Sequence, residues 1–415
     1  MFSSVKESDV GCRQNISIGK GFLGGVAMAA PFYAEFFSWR WTVLLAVPLF
    51  VLLLIHREKT KKPNMAILPM VLLLALHVVA LVFSQTVFAG QVVKDLVVAS
   101  FLLFVYVLAD EDMLAGFFSV LIPLAVITAL LGLLKAGLLD RGYLLGFITD
   151  GCSYYPAGSA LCVNYNNLGL LWLVAALGCI RTSFWWCIPF LLVAGVLSTS
   201  RRFILLMSFI PFVWIILQGR MAIVRILSVV IASGILFFAI TDPTSFDNYR
   251  QGETPFKVLE FSSGAGQEDV AKKINRAAPM LILGSMTDGT LGTATRLSFW
   301  QLGASLVSWA PQGWGYHEVF ACKFSACTDF HYPHMPVISE WIIGGVLFAV
   351  VALAFFVWPF LQILSARRLF PVALFLLVMP YVLISGDTVF SLPICISCML
   401  VALSTVERST RSFRD

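Results

Sequence analysis

Charged side chains are scarce in this sequence: Asp, Glu, Lys and Arg make up only 12% of the 415 residues, against 59% apolar residues. The mean hydropathy of +0.89 is higher than a soluble core needs, which excludes a soluble globular protein. The long apolar runs lack the alternation that strands of a membrane barrel require. Because lipid cannot satisfy exposed backbone groups, these runs predict an all-α, polytopic integral membrane protein. The net charge of +5 is spread over loops and gives no indication of nucleic-acid binding.

The nine cysteines are scattered and lack the spacing of metal ligands, so the sequence predicts no metal site and no cofactor. Three cysteines lie in apolar runs and are predicted to be packing residues: Cys187, Cys395 and Cys398. Two pairs would form disulfides in an oxidising compartment, but their spacing decides neither: Cys152–Cys162 and Cys322–Cys327. The polar first twenty residues do not have the pattern of a cleaved signal peptide.

Apolar runs separated by polar breaks predict about twelve membrane-spanning helices. We place them at residues 21–38, 41–55, 65–84, 91–108, 113–136, 166–180, 184–198, 203–218, 221–240, 335–363, 370–387 and 390–405. The predicted regions are a cytoplasmic tail (1–20), nine spans (21–240), a long loop (241–334), three spans (335–405) and a second cytoplasmic tail (406–415).

Lys and Arg in the short loops predict the orientation of the chain. With a cytoplasmic N-terminus, fifteen of these residues lie in inner segments, and six lie in outer loops and the adjoining span ends. The outer six are Arg40, Lys94, Lys135, Arg141, Arg201 and Arg202. The long loop is exempt from this rule because long loops translocate regardless of charge, and it is placed in the periplasm as a partly helical segment.

The doublet Arg201–Arg202 in "LSTSRRFILL" therefore lies on the outer side, against the charge bias of the other short loops. These arginines either snorkel to lipid headgroups or pair with an acidic residue in the bundle. The alternative is an anion site that faces the outer compartment, since guanidinium binds phosphate bidentately and keeps its charge.

Three outer segments carry further candidate residues. The first, "FITDGCSYYPAGSALCVNYNNLGLLWL", places Asn164, Asn166 and Asn167 at the entry to a span, where an Asn caps a helix or binds a hydroxyl-rich ligand. The second is the long loop, which includes Arg250 and the stretch "TATRLSFWQLGASLVSWAPQGWGY". Apolar residues in that stretch recur at roughly helical spacing and predict an amphipathic helix, at the membrane surface or packed on the bundle. Neither position explains Arg296 at the helix start, which the helix dipole disfavours unless an anion is bound.

The third segment, "GWGYHEVFACKFSACTDFHYPHMPVISEWIIGG", contains His317, His331 and His334 just before a long span. Pro333 interrupts any helix there, and no carboxylate–His set completes a zinc site. A neutral His at the mouth of a span is suited to act as a general base near neutral pH. The alternative for each is a hydrogen-bonded interfacial histidine.

Four of these stretches, in this order, resemble the O-antigen ligase and polymerase superfamily of bacterial envelope proteins. "NYNNLGLLWL" resembles the family's Asn-bearing entry to a mid-chain span, and "STSRRF" resembles its Ser-x-Ser-Arg turn. "TRLSFWQLGASLVSWAPQGWGY" resembles an Arg-x-x-x-Trp helix followed by a glycine turn, and "YPHMPVISEWIIGG" resembles a His-bearing segment before a Glu- and Gly-rich span start. The matched residues are Ser200, Arg201, Arg296, Trp300, Gly313, Gly315, His334, Glu340 and Gly344. Met335 and Trp341 depart from the Asn and Gly that the family usually has at those positions.

The resemblance implies an enzyme of the bacterial inner membrane that needs no metal or nucleotide sugar. Such an enzyme transfers a glycan from undecaprenyl diphosphate to an acceptor hydroxyl at the periplasmic face, with inversion. The implied partners are that lipid-linked donor, a lipid A-core or growing O-antigen acceptor, and membrane lipids. The predicted catalytic residues are His334, Arg201 and Arg296. The predicted substrate-binding residues are Arg202, Arg250, Ser200, Asn164, Asn167, His331 and Glu340.

Three functions remain open at this point. Ligation to lipid A-core is favoured over polymerisation of repeat units, because the long outer loop lies late in the chain with a His close before the next span. A lipid-linked oligosaccharide flippase, or another transporter, is the alternative from a different class. Transporters commonly show internal repeats with broken spans, and the sequence shows no such repeat.

Overall fold

The computed structural model describes residues 21–32, 47–49, 51, 65–83, 89–108, 111–140, 143–145, 165–182, 184–198, 200–240, 257–259, 303–304, 312–313, 315, 335–384, 389–391 and 393–412. These residues are helical apart from short connections and two strands of three residues each, so the predicted helical fold class is confirmed for them. Three helical stretches are long and apolar enough to cross a membrane, by length and composition. They are Gly116–Gly137, Met221–Ile240 and Pro336–Ser365.

The helices occupy the predicted spans wherever those residues are described. They are α1 (Gly21–Phe32), α2 (Leu68–Phe83), α3 (Ala89–Leu108), α4 (Glu111–Asp140), α5 (Tyr165–Thr182), α6 (Ile188–Leu197), α7 (Arg201–Met207), α8 (Ile210–Gln218), α9 (Met221–Ile240), α10 (Pro336–Ser365), α11 (Leu369–Ile384) and α12 (Pro393–Ser412). Short 3₁₀ turns are found at Met65–Ile67, Trp185–Cys187 and Val389–Ser391. The number of membrane crossings and the outer position of the long loop stay predictions.

The predicted span 203–218 is divided into α7 and α8. The division falls where Pro211 enters the apolar run, at the beginning of α8. Proline has no N–H for a bond to the preceding turn, so it is tolerated at the first positions of a helix but not in its interior. Ser208 and Phe209, between the two helices, keep right-handed helical angles, so Arg202–Gln218 still forms one apolar helical stretch within the predicted span.

The chain divides into two units, which are described separately. The first unit comprises residues 1–31, 39–120 and 292–415, and the second comprises residues 32–38 and 121–291. In the first unit, α10 packs against α2, α11 packs against α12, and α12 packs against α3. The N-terminal helix α1 belongs to this unit as well, and Ser397 Oγ on α12 donates to the Met28 carbonyl on α1 at 2.7 Å.

Helix α1 meets the beginning of α4 through glycines. A Cβ on Gly25 would collide with the backbone carbonyl of Gly116, and a Cβ on Gly116 would collide with the carbonyl of Gly21. Small residues let two helix backbones approach closely, as is common where apolar helices associate without a hydrophobic driving force.

The second unit is built around α5, whose residues from Leu168 to Ile180 are all buried. This helix packs against α6 and α7, and α6 also packs against α9. Only 11% of the residues in the most apolar window of α9 are buried, which leaves most of its apolar side chains exposed.

Two short parallel strands also belong to the second unit. Strand β1 (Tyr143–Leu145) pairs with β2 (Lys257–Leu259), with Tyr143 opposite Lys257 and Leu145 opposite Leu259. The sequence analysis did not predict them, because a three-residue strand is too short to show a reliable period-2 pattern. Strand β2 lies within the predicted long loop.

The predicted role of the cysteines in apolar runs is confirmed. Cys187, Cys395 and Cys398 are buried and free of disulfides, as is Cys179. The two open disulfide pairs lie outside the described residues.

Candidate functional site

The predicted site residues fall into two groups. Five of them lie outside the described residues: His334, Arg296, Arg250, Asn164 and His331. The structure describes Ser200, Arg202, Asn167 and Glu340, and it describes the backbone of Arg201. Ser200, Arg202 and Asn167 belong to the second unit, whereas Glu340 belongs to the first.

The serine–arginine turn is ordered by its own hydroxyl groups. Ser198 Oγ donates to the Gly195 carbonyl at 2.6 Å at the end of α6, and the Ser200 N–H donates to Ser198 Oγ at 3.4 Å. Ser200 is the N-cap of α7, with extended backbone angles, and its Oγ accepts the Phe203 N–H at 3.4 Å. The hydroxyl therefore satisfies a free N–H at the helix start.

This turn places the arginine doublet at the first two positions of α7. Arg202 is buried, with 9% of its surface exposed. A buried guanidinium needs an acceptor or an anion within reach. Asn167, on α5, lies in the first turn of its helix and is half-buried.

Glu340 lies in the first two turns of α10, and no part of it is exposed. Its Oε1 accepts the backbone N–H of Val389 at 3.0 Å. Its Oε2 lies 2.9 Å from Nε2 of His77, which is in the middle of α2. The carboxyl group thus joins α10 to α2 and to the 3₁₀ turn before α12.

His77 is equally enclosed, with 2% of its surface exposed. Its Nδ1 lies 2.9 Å from the Leu73 carbonyl, one turn earlier on α2. The ring centroid lies 5.3 Å from that of Phe348 and 4.9 Å from that of Phe390, the second contact being edge-on. The imidazole and the carboxyl group therefore form a pair inside an aromatic enclosure.

Helix α10 is broken directly after this pair. Gly344 (φ −128°, ψ 17°) and Gly345 (φ 74°, ψ −163°) depart from helical angles and divide the helix into two halves. A Cβ on Gly344 would collide with the ring of Phe348, one of the two rings beside His77. Gly345 has a positive φ that residues with a Cβ rarely adopt.

The glycine turn matched to the family packs on this break. The Gly315 N–H donates to the Ile343 carbonyl at 2.8 Å, and that carbonyl is freed by the break. Gly313 (φ 91°) leaves no room for a side chain, since a Cβ would lie 2.6 Å from the Gly345 nitrogen. The structure therefore brings together two of the four matched stretches, through Gly313 and Gly315 on one side and Ile343 to Gly345 on the other.

Three polar atoms at this position have no hydrogen-bond partner among the described residues. They are Oγ of Ser339, which is fully buried, Nε1 of Trp341, and Oε2 of Glu340, whose close contact with His77 does not have hydrogen-bond geometry. The N-cap residue of this helix, Met335, provides no side-chain bond to the helix start either. In the part of the chain that the structure describes, no three His, Cys, Asp or Glu side chains gather as metal ligands would.

His77 is not among the predicted site residues, because the run 65–84 is predicted as a uniformly apolar span. The signal was present: a single ionisable side chain within an apolar span is costly and marks a functional or pairing position by default. Its partner on α10 could not be identified, since nothing in the sequence shows that α2 and α10 pack together.

Comparison with known proteins adds no family to these observations. No protein-family model matches the sequence, and no curated protein is significantly similar to it.

Proposed function

We propose that this protein is a membrane glycosyltransferase that moves a glycan from undecaprenyl diphosphate to an acceptor hydroxyl at the periplasmic face of the inner membrane. The proposal rests on the order of the four matched stretches along the chain. It draws support from one structural observation, the packing of the Gly313–Gly315 turn on the break in α10.

This packing brings Gly315 to the start of α10. Gly315 is bonded to Ile343, and Met335 is the N-cap of α10, so these two described residues both lie at the first two turns of one helix. His334 immediately precedes that N-cap in the sequence. We propose His334 as the proton acceptor because a neutral histidine is suited to general-base chemistry near neutral pH.

In the proposed reaction, His334 takes the proton of the acceptor hydroxyl as its oxygen attacks the anomeric carbon. The new C–O bond forms while the bond from that carbon to the diphosphate oxygen breaks, and the configuration inverts. The lipid diphosphate leaves with the bonding electrons. Arg201 and Arg296 are proposed to bind the diphosphate, with Arg202 and Arg250 as further contacts, because fixed cations stabilise charge where it develops.

Transfer by purified protein from a diphosphate-linked glycan tests this proposal. Arg296→Ala and His334→Ala should each reduce turnover about 100- to 1,000-fold, the typical effect of losing one group that stabilises the transition state. Arg220→Ala is the matched control, since Arg220 is exposed after α8 and lies on the predicted cytoplasmic side. Full activity in either test variant would remove that residue from the mechanism, and strict dependence on a divalent metal would contradict the arginine clamp.

The acceptor is addressed by lipopolysaccharide from a strain that lacks the gene. Free core together with accumulated lipid-linked polymer indicates a ligase, which is the proposed activity. Core capped with one repeat unit indicates a polymerase.

A transporter of lipid-linked oligosaccharide is the second candidate, and one observation favours it. Broken helices beside buried ionisable groups are typical of transporters, and α10 is broken one turn after the His77–Glu340 pair. Movement of a fluorescent lipid-linked glycan across vesicles containing the protein, without transfer to an acceptor, would support this function over the first.

A further inference from the structure

We infer that His77 and Glu340 are a positioning pair that holds the two halves of the broken helix α10 in register and thereby seats the Gly313–Gly315 turn. The pair would act through its close polar contact, its hydrogen bonds to the backbone and the packing of the His77 ring. The inference rests on the proposed function only for its activity measurement, because the seating of the turn can be measured by itself.

His77 contacts one residue before the break in α10 and one residue after it. Its Nε2 lies 2.9 Å from Glu340, which precedes the break, and its ring lies against Phe348, which follows the break. One side chain on α2 therefore contacts both halves of α10. Without it, the unusual angles at Gly344 and Gly345 leave the two halves free to change their relative orientation.

Glu340 extends the same connection to a third segment. Its Oε1 accepts the Val389 N–H in the 3₁₀ turn, and Phe390 of that turn packs edge-on against the His77 ring. Three separate parts of the chain thus meet at one pair of side chains. Each side chain makes one hydrogen bond to a backbone group and one close polar contact with the other, and neither residue is more than 2% exposed.

The contact with Leu73 orients the ring of His77. A backbone carbonyl only accepts, so this contact requires a hydrogen on Nδ1 of His77. The ring is thereby turned so that Nε2 lies 2.9 Å from Oε2 of Glu340.

The pair is connected to the Gly313–Gly315 turn through the first half of α10. Glu340 and the Ile343 carbonyl are three residues apart on the same short half-helix, and the carbonyl accepts the Gly315 N–H. Fixing Glu340 therefore fixes the surface on which Gly313 and Gly315 pack. Because both side chains are almost fully buried, a positioning role fits this geometry better than direct action on a substrate.

Glu340→Gln separates a hydrogen-bond role from a proton-carrying role. The Gln amide would donate to Nε2 of neutral His77, and its carbonyl oxygen would still accept the Val389 N–H. Glu340→Ala removes both contacts, and His77→Phe keeps the ring contacts but removes the contact with Glu340. Hydrogen exchange of the Gly315 amide, measured by mass spectrometry on the full-length protein in detergent, reports whether the turn is seated.

We expect Gly315 exchange in Glu340→Gln to stay within about threefold of the wild type. Exchange in Glu340→Ala and His77→Phe should be about tenfold or more faster, the effect of losing a buried hydrogen bond. Trp172→Phe, in the second unit, is the control and should leave Gly315 exchange unchanged. If Glu340→Ala does not accumulate, His77→Phe provides the same test, and unchanged exchange in the variant measured overturns the inference.

Glycan-transfer activity then separates a failure of the positioning inference from a failure of the proposed function. Glu340→Gln that keeps both slow exchange and wild-type turnover supports positioning. Slow exchange with turnover reduced 100-fold or more would show that the carboxyl group carries a proton, which overturns the inference. A wild-type protein without transfer activity, but with the expected exchange pattern, would reject the proposed function and leave the positioning pair standing.

Discussion

The two units hold their buried polar groups in different ways. In the second unit, Lys135 and Arg202 are buried on separate helices, and neutral side chains bond between helices: Trp172 Nε1 donates to Thr128 Oγ1 at 3.1 Å, and Gln218 Nε2 donates to the Ile180 carbonyl at 2.6 Å. In the first unit, an ionisable pair, His77 and Glu340, lies beside a helix that is broken at two glycines.

This difference indicates where a site is to be sought. A neutral hydrogen bond stabilises a helix contact at a small desolvation cost. A buried ionisable pair costs more to desolvate and is often no more stabilising than apolar residues of the same size. His77 and Glu340 form a buried ionisable pair, and the adjacent Gly345 has backbone angles that only glycine adopts readily. Both features are unusual inside an apolar helix bundle. Such departures are expected at functional or strained positions.

The largest effect should come from the glycine turn. Gly313→Ala introduces a Cβ at a φ of 91°, which costs about 1–3 kcal/mol in strain. The same Cβ would lie 2.6 Å from a backbone nitrogen, and overpacking of this kind adds roughly 1–3 kcal/mol. We expect a lower midpoint of thermal unfolding in detergent, together with fast exchange at Gly315.

Gly219→Ala is the matched control for this substitution. Gly219 also has a positive φ, of 66°, but nothing lies within 4 Å of its Cβ position. It should therefore show the strain without the collision, and it should not affect Gly315. Equal losses in the two variants would mean that the packing of the turn on α10 contributes nothing.

A smaller effect is expected where α1 meets α4. Gly25→Ala places a methyl group against the Gly116 carbonyl, and the separation of two helix backbones should cost about 1–3 kcal/mol. Gly234→Ala, on α9, meets nothing within 4 Å and should be neutral or stabilising, since Ala is favoured over Gly in a helix by about 1 kcal/mol. The unfolding midpoint should therefore move in opposite directions, and a fall in both variants would argue against a specific contact between α1 and α4.

The helices could be predicted from the sequence, because an apolar run such as residues 221–240 has few other stable states in lipid. The family resemblance predicted Glu340 as a site residue and the glycine turn as a matched motif. It did not predict the bond from Gly315 to Ile343, since a sequence pattern gives no contact between distant segments. His77 was not predicted because the run 65–84 was taken as uniformly apolar, and its partner is known only once α2 packs on α10. The three-residue strands and the separation of α7 from α8 were not predicted. A hydrophobic pattern is recognised over a window of many residues, and these features are shorter than such a window.

The smallest effect is expected for the neutral bond in the second unit. Thr128 Oγ1 accepts the Trp172 N–H and donates to the Ala125 carbonyl, so Thr128→Val and Trp172→Phe each remove one partner of a buried hydrogen bond. A double-mutant cycle on the free energy of unfolding separates that bond from the cavity that Trp172→Phe creates, and we expect a coupling of about 0.5–1.5 kcal/mol. Each variant should change hydrogen exchange at Gly315 and glycan-transfer activity only as far as it lowers the amount of folded protein. If Thr128→Val or Trp172→Phe lowered turnover beyond the loss of folded protein, the hydrogen bonds of the second unit would also have a functional role. The proposed difference between the two units would then be wrong.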